Sequence, residues 1–378
     1  MELQENGSSV VESSATLYAL PGLRTFVREV LASNGVAAGD AATVADRMLE
    51  ADARGVPSHG ITRLPPYLDR VRAGGYNLDA KVRIVRESPV SALVDGDNGF
   101  GQVVMTYAAD LAARKAAASG LAWVGVRNSN HAGAGGVYAA RALEHDLIGL
   151  YGAIGNANHM APWGGVSPLL STNPLAVAIP AGRQPPVVLD MATTVVSFGR
   201  LKLAAQRGES IPDTWVMDLA GAPVTDPAEA MHGLLMPIGG YKGYGLNLVI
   251  GMLAGTLNGA AFGSETIDFN HDHVTPTNTG NMILMVRPDL FRSLEEFKAS
   301  ADERIRELRE SRPVDPGRPV RTPGDALESR SRRSREHGVP IEPATAARLA
   351  ALGAAHGIEL PAPVDATPAH TDLEGGRS

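Results

Sequence analysis

The chain has 378 residues, 34 Lys+Arg against 41 Asp+Glu for a formal net charge of −7, and 44% hydrophobic residues. That length holds one to three domains with ample core, and the acidic balance argues against nucleic acid as an obligatory partner. There is no cysteine, which excludes disulfides, thiolate zinc sites and thiol nucleophiles and fits a reducing, cytoplasmic setting.

The N-terminal stretch to about residue 16 is polar, predicts disorder, and has no apolar core of a secretory leader. Pro21 to Asn34 and Ala41 to Ala53 read as amphipathic helices, the second with Val44, Met48 and Leu49 on one face and a stop at Arg54-Gly55. Ser58-His59-Gly60 follows. If Ile61 to Arg72 continues as helix, His59 and Arg63 sit on neighbouring turns of one face. An imidazole beside a guanidinium could grip a carboxylate next to a hydroxyl. The bland alternative is that Ser58 is an N-cap and Arg63 a surface charge.

Val82 to Arg86 and Ser91 to Asp95 form an expected β pair, Asp95 to Gly99 a turn, and Gln102 to Ser119 a helix. Leu121 to Val126 reads as a buried strand running into Asn128, Ser129, Asn130 and His131, with Gly133, Gly135 and Gly136 behind them, and Tyr138 to Leu143 as helix. A strand ending in polar groups, a titratable ring and glycines positions a side chain and lets a ligand approach the backbone. Histidine is the side chain able to act as base or acid near neutral pH. A solvated loop histidine is the competing reading. The glycine spacing misses G-x-G-x-x-G, so no Rossmann fingerprint is supported.

Asp146 to Gly152 predicts a strand, and 156–180 a long irregular stretch of the kind that serves binding sites. Val187 to Met191 reads as a buried strand whose Asp190 needs a partner. Thr193 to Arg207 predicts a helix and Pro212 to Asp226 a hairpin-like loop turning at Ala220-Gly221. Gly239 to Gly245 opens an apolar helix, with Lys242 at a glycine-rich start suited to an anion, although Gly243 stands where a P-loop requires Ser or Thr. The uncharged run 245–263 is near membrane-spanning length, but its asparagines and glycines favour a buried helix. His271-Asp272-His273 reads as a loop rather than a metal site. Gly280 to Val286 is the last strong strand, Leu294 to Arg309 a charged helix, Pro313 to Asp325 an extended run, and Ser329 to Arg335 an exposed basic helix face with RNA binding as its alternative. The tail after Pro361 predicts disorder.

Six motifs stand in one order: A-D-A-R-G-V-P-S-H-G-I-T-R at 51–63, V-R-N-S-N-H at 126–131, A-P-W-G-G at 161–165, S-T-N-P-L-A at 171–176, L-D-M-A-T-T at 189–194 and G-Y-K-G-Y-G-L at 240–246. Together they resemble the type-2 malate/L-lactate dehydrogenase family, which also holds sulfolactate, ureidoglycolate and diketogulonate enzymes and a cyclic-imine reductase. The resemblance spans about residues 17 to 350. It implies a non-Rossmann α/β fold, a homodimer, and NAD or NADP bound without the glycine fingerprint. The implied organisation is a disordered 1–16, a helical substrate-site region 17–120, an NAD(P)-binding α/β domain 121–312, a C-terminal segment 313–360 packing back on the core, and a disordered 361–378. Carried over by position, Ser58, His59 and Arg63 match the substrate-site motif, with His59 the proton donor in some members and His131 the acceptor in others. Thr172 and Asn173 match a position touching substrate and cofactor. Asp190, Met191 and Ala192, then Tyr241, Lys242 and Gly243, then Pro323, Gly324 and Asp325, match cofactor-binding positions. No metal is implied.

The chain departs from the family pattern where a substrate's distal group would be read: Ala132 for a common Phe, Val166 for a basic residue, Phe198 where some members carry Arg, and no Arg near 277–280. The expected function is therefore an NAD(P)-dependent dehydrogenase of a malate-, lactate- or sulfolactate-like 2-hydroxy acid. The alternatives are reduction of a cyclic imino acid, or a cofactor-binding homologue without turnover.

Overall fold

The computed structural model describes residues 15–364. The expected disorder of residues 1–14 and 365–378 concerns residues outside that span. Thr16, expected in the disordered N-terminus, starts β1 (Thr16–Tyr18) instead, and Val364 donates its backbone N–H to Leu17 O at 2.8 Å. Apolar residues at helical spacing then build α1 (Leu20–Ser33) and α2 (Ala38–Ala53). After α2 come two 3₁₀ turns, Pro57–His59 and Ile61–Arg63, and then α3 (Leu64–Arg72).

The single helix expected from Ile61 to Arg72 is thus broken into a 3₁₀ turn and α3, and His59 sits on a separate turn before it. The cause is Gly60, whose backbone (φ −94°, ψ −146°) leaves the helical region. The Asp52 carboxylate lies so close that a Cβ on residue 60 would fall 1.8 Å from its Oδ1. Asp52 Oδ2 accepts the Ile61 N–H at 2.7 Å, which restarts the chain in a new direction.

The rest of the chain supplies the main sheet and its cover. In order these are β2 (Arg83–Ser88), β3 (Ser91–Asp95), α4 (Gly101–Ser119), β4 (Leu121–Ser129), α5 (Gly135–Ala139), β5 (Ile148–Ala153), β6 (Leu175–Ile179) and β7 (Val187–Met191). Then follow α6 (Phe198–Arg207), β8 (Val216–Met217), α7 (Pro227–Ala230), β9 (Leu234–Leu235), α8 (Tyr241–Ala254) and β10 (Thr279–Val286). The chain closes with α9 (Leu294–Glu310), α10 (Asp325–His337), β11 (Val339–Ile341) and α11 (Pro343–Ala354).

Seven strands form one mixed sheet in the order β2-β3-β4-β10-β5-β6-β7. Among the described residues only β3 and β4 run parallel, and α4 makes the crossover that parallel neighbours need. The other pairings in this sheet are antiparallel. The near-continuous apolar run of β10 is explained by its place at the centre, covered on both faces. Val124, Val126, Ile283 and Met285 are fully buried there with the alanine face of α4. Burying each such side chain contributes roughly 1.5–3 kcal/mol.

A second core joins α1, α2 and α3 to β1, β11 and α11, and a smaller third one lies under α6, α7, β8 and β9. β7, expected to be buried, is a half-buried edge strand. The irregular stretch expected from 156 to 180 ends earlier, because β6 occupies 175–179. The helix expected from Thr193 begins only at Phe198, where the Ser197 hydroxyl caps it. The helix expected from Tyr138 to Leu143 is a short α5 followed by a 3₁₀ segment. Among the described residues no helix is long and apolar enough to cross a membrane; the uncharged run leaves helix at Ala254.

Candidate active site

β4 continues past Val126 to Ser129, so the polar tripeptide is the end of the strand itself. Asn130 is fully buried, and its amide donates to Asn98 O, Asn98 Oδ1 and Gly99 O at 2.9–3.1 Å. This locks the strand end against the 95–99 turn and delivers His131 to the junction of the two large cores. There the His131 ring stacks on His59 at 5.6 Å between centroids and 20° between planes. Phe269 lies tilted against it at 5.8 Å. Ser58 Oγ is 2.9 Å from His59 Nδ1, and Arg63 Nε donates to Ser58 O at 2.8 Å. The four residues proposed for catalysis from the sequence are therefore brought together.

Three further side chains complete the cluster. Tyr67, on α3, places its hydroxyl 2.6 Å from His131 Nδ1, and Gln102 Nε2 on α4 donates to the same hydroxyl at 2.8 Å. Asp52 pins the turn from below. Tyr67 stands one helical turn after Arg63, so its spacing was a usable signal. Gln102 and Asp52 read as ordinary positions of helical patterns and gave none.

The electrostatics follow from burial and from Arg63. Loss of solvent, with Arg63 adding, depresses the His59 pKa to about 4. Loss of solvent, then Arg63 and His59, holds His131 well below the usual imidazole range. Both rings are neutral at pH 7, the state a proton acceptor requires. Burial raises the Tyr67 phenol to about 12 and the Asp52 carboxyl to about 8, the latter partly offset by the Ile61 N–H.

A second group of positions gathers along β7. Pro323 O accepts the Val188 N–H at 2.9 Å, and Gly324 lies so near that a Cβ would meet Val188 N at 2.9 Å. Asp325 accepts from the Thr322 N–H at 2.8 Å and pairs with Arg309, an ion pair that holds its carboxyl in the ionised form against desolvation. Asp190 finds the partner its burial demands in the Gly136 N–H at 2.8 Å, five residues after His131. Desolvation still raises its pKa, against the pull of that N–H and of Arg54.

Met191 and Ala192 are half-buried and lead to Thr193, which donates its N–H and hydroxyl to Thr172 O at 3.0 and 2.8 Å. Thr193 O accepts the Ile238 N–H at 3.0 Å, which ties in the start of α8. There Gly243 is buried while Tyr241 and Lys242 are exposed, and no side chain caps the helix. Trp163, also exposed, stands edge-on to Tyr241 at 6.4 Å.

Asn173 is fully buried with all its side-chain contacts inside the protein. It accepts from Gly155 N at 3.1 Å and donates to Asn247 Oδ1 at 2.9 Å. Its half-buried neighbour Thr172 is the more open of the two. The two groups of positions meet where Gly136 follows His131 and where Gly199, at the start of α6, approaches Ser58: a Cβ there would lie 3.6 Å from Ser58 Cβ. Among the described residues no cluster of three or more His, Asp or Glu side chains is arranged to hold a metal ion. A separate cleft of about 350 Å³ lies between α2, β7 and α10, lined by Arg47, Glu50, Arg54, Gly324 and Glu328 among others. Among the described residues no histidine lines it.

A family profile described as malate/L-lactate dehydrogenase matches residues 19–350. L-sulfolactate dehydrogenase of Methanothermobacter thermautotrophicus is 38% identical over 335 residues, 88% of this chain and 95% of that protein. The solved malate dehydrogenase of Pyrococcus horikoshii OT3 superposes with a TM-score of 0.84 at 34% identity, covering 94% of this chain and 99% of that one. Relatives named for either cofactor occur. Ureidoglycolate dehydrogenase (NAD(+)) of Escherichia coli K12 is 35% identical over 84% of this chain and 90% of its own length. (2R)-3-sulfolactate dehydrogenase (NADP(+)) of Chromohalobacter salexigens is 33% identical over 73% and 82%. The structure of delta1-piperideine-2-carboxylate reductase from Pseudomonas syringae pvar. tomato is also similar, with a TM-score of 0.79 at 28% identity over 89% of this chain and 99% of that one.

Proposed function

The chain belongs to the malate/L-lactate dehydrogenase family, and on that premise we propose that it interconverts a 2-hydroxy acid and its 2-oxo acid with NAD or NADP. The observation that carries this reading is the neutral His131–His59 stack beside Arg63. A small 2-hydroxy acid presents a carboxylate next to a hydroxyl, and the cluster offers a guanidinium next to imidazoles. Arg63 binds the carboxylate. His131 takes the hydroxyl proton, with His59 as the alternative acceptor and Ser58 orienting it. Because Arg63 depresses both imidazoles, a carboxylate that offsets its charge raises their basicity as the substrate arrives.

NAD or NADP supplies the hydride chemistry when bound. The donor set fits an anionic dinucleotide: an uncapped N-terminus of α8, the exposed Lys242 beside it, and the exposed rings of Tyr241 and Trp163. Asp190, Met191, Ala192, Thr172 and Pro323-Gly324-Asp325 are its further proposed contacts, all but Asp325 on or against β7 and its continuation. A sheet with one parallel pair supports binding outside the doubly wound, glycine-fingerprint mode.

A homodimer is part of the proposal. Its support is the part of α8 after Lys242, which is uncharged and turns Val249 and Met252 outward with Leu257 just beyond it. Light scattering on the purified chain tests it. A cytoplasmic setting fits the absence of cysteine.

A second reading, reduction of a cyclic imino acid, has its support in the similarity to the Pseudomonas reductase. It is favoured too by apolar residues where a substrate's far end would be read. Ala132 is buried, and Phe198 stacks on His159 at 4.3 Å. The test is nicotinamide absorbance with NADH or NADPH and a panel of oxaloacetate, pyruvate, sulfopyruvate and a cyclic imino acid. Oxidation with a 2-oxo acid supports the first reading, and oxidation with the imine alone replaces it by the second. Silence across the panel with cofactor bound points to a substrate outside it or to a cofactor-binding homologue without turnover.

A further inference from the structure

We propose that Gln102 is a positioning residue that sets, through Tyr67, which ring nitrogen of His131 carries the proton. The inference rests on the reading of His131 as proton acceptor. Its physical basis is a line of three groups, the buried Gln102 and Tyr67 and the half-buried His131, joined at 2.8 and 2.6 Å. Gln102 and Tyr67 are shut away from solvent at the start of α4 and on α3. His59 and Phe269 both lie against the His131 ring, and its Nδ1 faces the phenol at 2.6 Å. The charged or titratable groups that face it are Arg63, His59 and Tyr67. The phenol stays protonated through the working pH range, so one hydroxyl proton must serve whichever neighbour can accept it.

That proton has two destinations, and the Gln102 amide selects between them. With Nε2 donating to the phenol oxygen, the phenol O–H points at His131 Nδ1. Neutral His131 then carries its own proton on Nε2 and is a hydrogen-bond donor, suited to polarise a substrate carbonyl. In this arrangement Gln102 Oε1 is buried and has no hydrogen-bond partner in the protein. A half-turn of the amide brings Oε1 to the phenol. The phenol proton then goes to Gln102, Nδ1–H donates to the phenol oxygen, and Nε2 is bare.

Only that second polarity suits a base. When the substrate O–H bond breaks and its proton moves to Nε2, the ring becomes imidazolium. Its Nδ1–H still has the phenol oxygen as acceptor, and the phenol proton still has Oε1. No proton leaves the line, and the positive charge stays on the ring. With Nε2 of the amide on the phenol, the imidazolium would leave the phenol proton without an acceptor. Gln102, which touches neither substrate nor cofactor, thus decides whether His131 polarises an oxo group or accepts a proton.

The experiment is ¹⁵N NMR of the imidazole rings in the full-length protein, with His131 assigned by the signal lost in His131→Asn. In Gln102→Glu, observed at a pH high enough to ionise the buried carboxyl, the carboxylate can only accept, so the His131 proton should move to Nδ1. In Gln102→Leu the preference should weaken toward a mixture of tautomers. Tyr67→Phe should remove the dependence, so that Gln102→Glu combined with Tyr67→Phe matches Tyr67→Phe alone. Oxidation of the hydroxy acid by Gln102→Leu should slow by about tenfold in kcat with KM little changed, a fraction of what loss of the base costs. Should Gln102→Glu fail to fold, the Leu variant carries the same comparison. An unchanged His131 tautomer in a folded Gln102 variant, or a shift that persists without the Tyr67 hydroxyl, overturns the proposal. The spectra need no turnover: if His131→Asn keeps full activity, the acceptor role falls while the tautomer dependence still stands or fails by itself.

Discussion

The histidine cluster and the β7–α8 edge are built in opposite ways. The cluster is a contact of side chains: rings on rings, a phenol on an imidazole, a carboxylate under a turn. The edge is mostly backbone: amides and carbonyls of Gly136, Val188, Thr193 and Ile238 hold it, and its prominent side chains, Tyr241 and Lys242, point outward. A region built from side chains fixes protonation states, because every partner shifts a pKa. A region built from backbone fixes a shape that tolerates exchange of the side chains around it. Substitutions in the first should therefore alter chemistry, and substitutions in the second should alter binding.

The largest test of this contrast is His131→Asn. Turnover should fall by roughly 10²–10⁴ while the affinity for NADH or NADPH, followed by fluorescence titration, stays the same. A loss shared equally by both would erase the distinction between the regions. Next, Arg63→Ala removes the charge-assisted contact to the carboxylate, and kcat/KM should drop by about 10–100-fold. The same guanidinium gives a pH signature. His131 is depressed in the free protein, and a bound carboxylate relieves that depression. The acidic limb of kcat for oxidation should then lie at higher pH than the acidic limb of kcat/KM. Coincident limbs would mean that the carboxylate does not reach Arg63.

Lys242→Ala probes the other region. An exposed charge contact is modest, so cofactor Kd should rise by about fivefold at most with kcat at saturation unchanged. A fall in saturated kcat would place Lys242 in the chemistry. The smallest expected effect concerns Asp52. Its folded pKa of about 8 exceeds the usual carboxyl value of 3.8, so the folded state holds the proton more tightly. The stabilisation is complete below the unfolded value and is lost as pH rises toward 8. Asp52→Asn keeps an acceptor for the Ile61 N–H without that loss. Its Tm should exceed that of the native chain by roughly 1–3 °C at pH 9, with less difference at pH 5.

Much of this was legible in the chain and some of it could not be. The apolar runs of β4 and β10 announce buried strands, and the polar end of β4 announces His131, because residue type and strand period are local properties. The placing of β10 between β4 and β5 is not local, since it joins residues far apart in sequence. Ser58, His59 and Arg63 stood out by residue type. Their backbone did not, because the break at Gly60 is imposed by Asp52, a residue that the helical pattern makes look like any other on α2. Asp190 plainly needed a partner, but the partner is a backbone amide, which has no letter in a sequence. Gln102 went unseen for a similar reason: its position says helix, and its role depends on what lies across from it.

The pairing of β1 with β11 sets Thr16 against Ile341 and Tyr18 against Val339. On the ribosome β1 thus waits for a partner made some three hundred residues later. At synthesis rates of 5–20 residues per second, that wait is roughly 15–65 s. During it the helices α1 and α2 emerge without the strand and the C-terminal helix that close their core. The large sheet can assemble first, since all seven of its strands precede β11. The helical layer that carries His59 would then be sealed last, and truncating the chain before Val339 should leave that layer open to proteases while the sheet resists them.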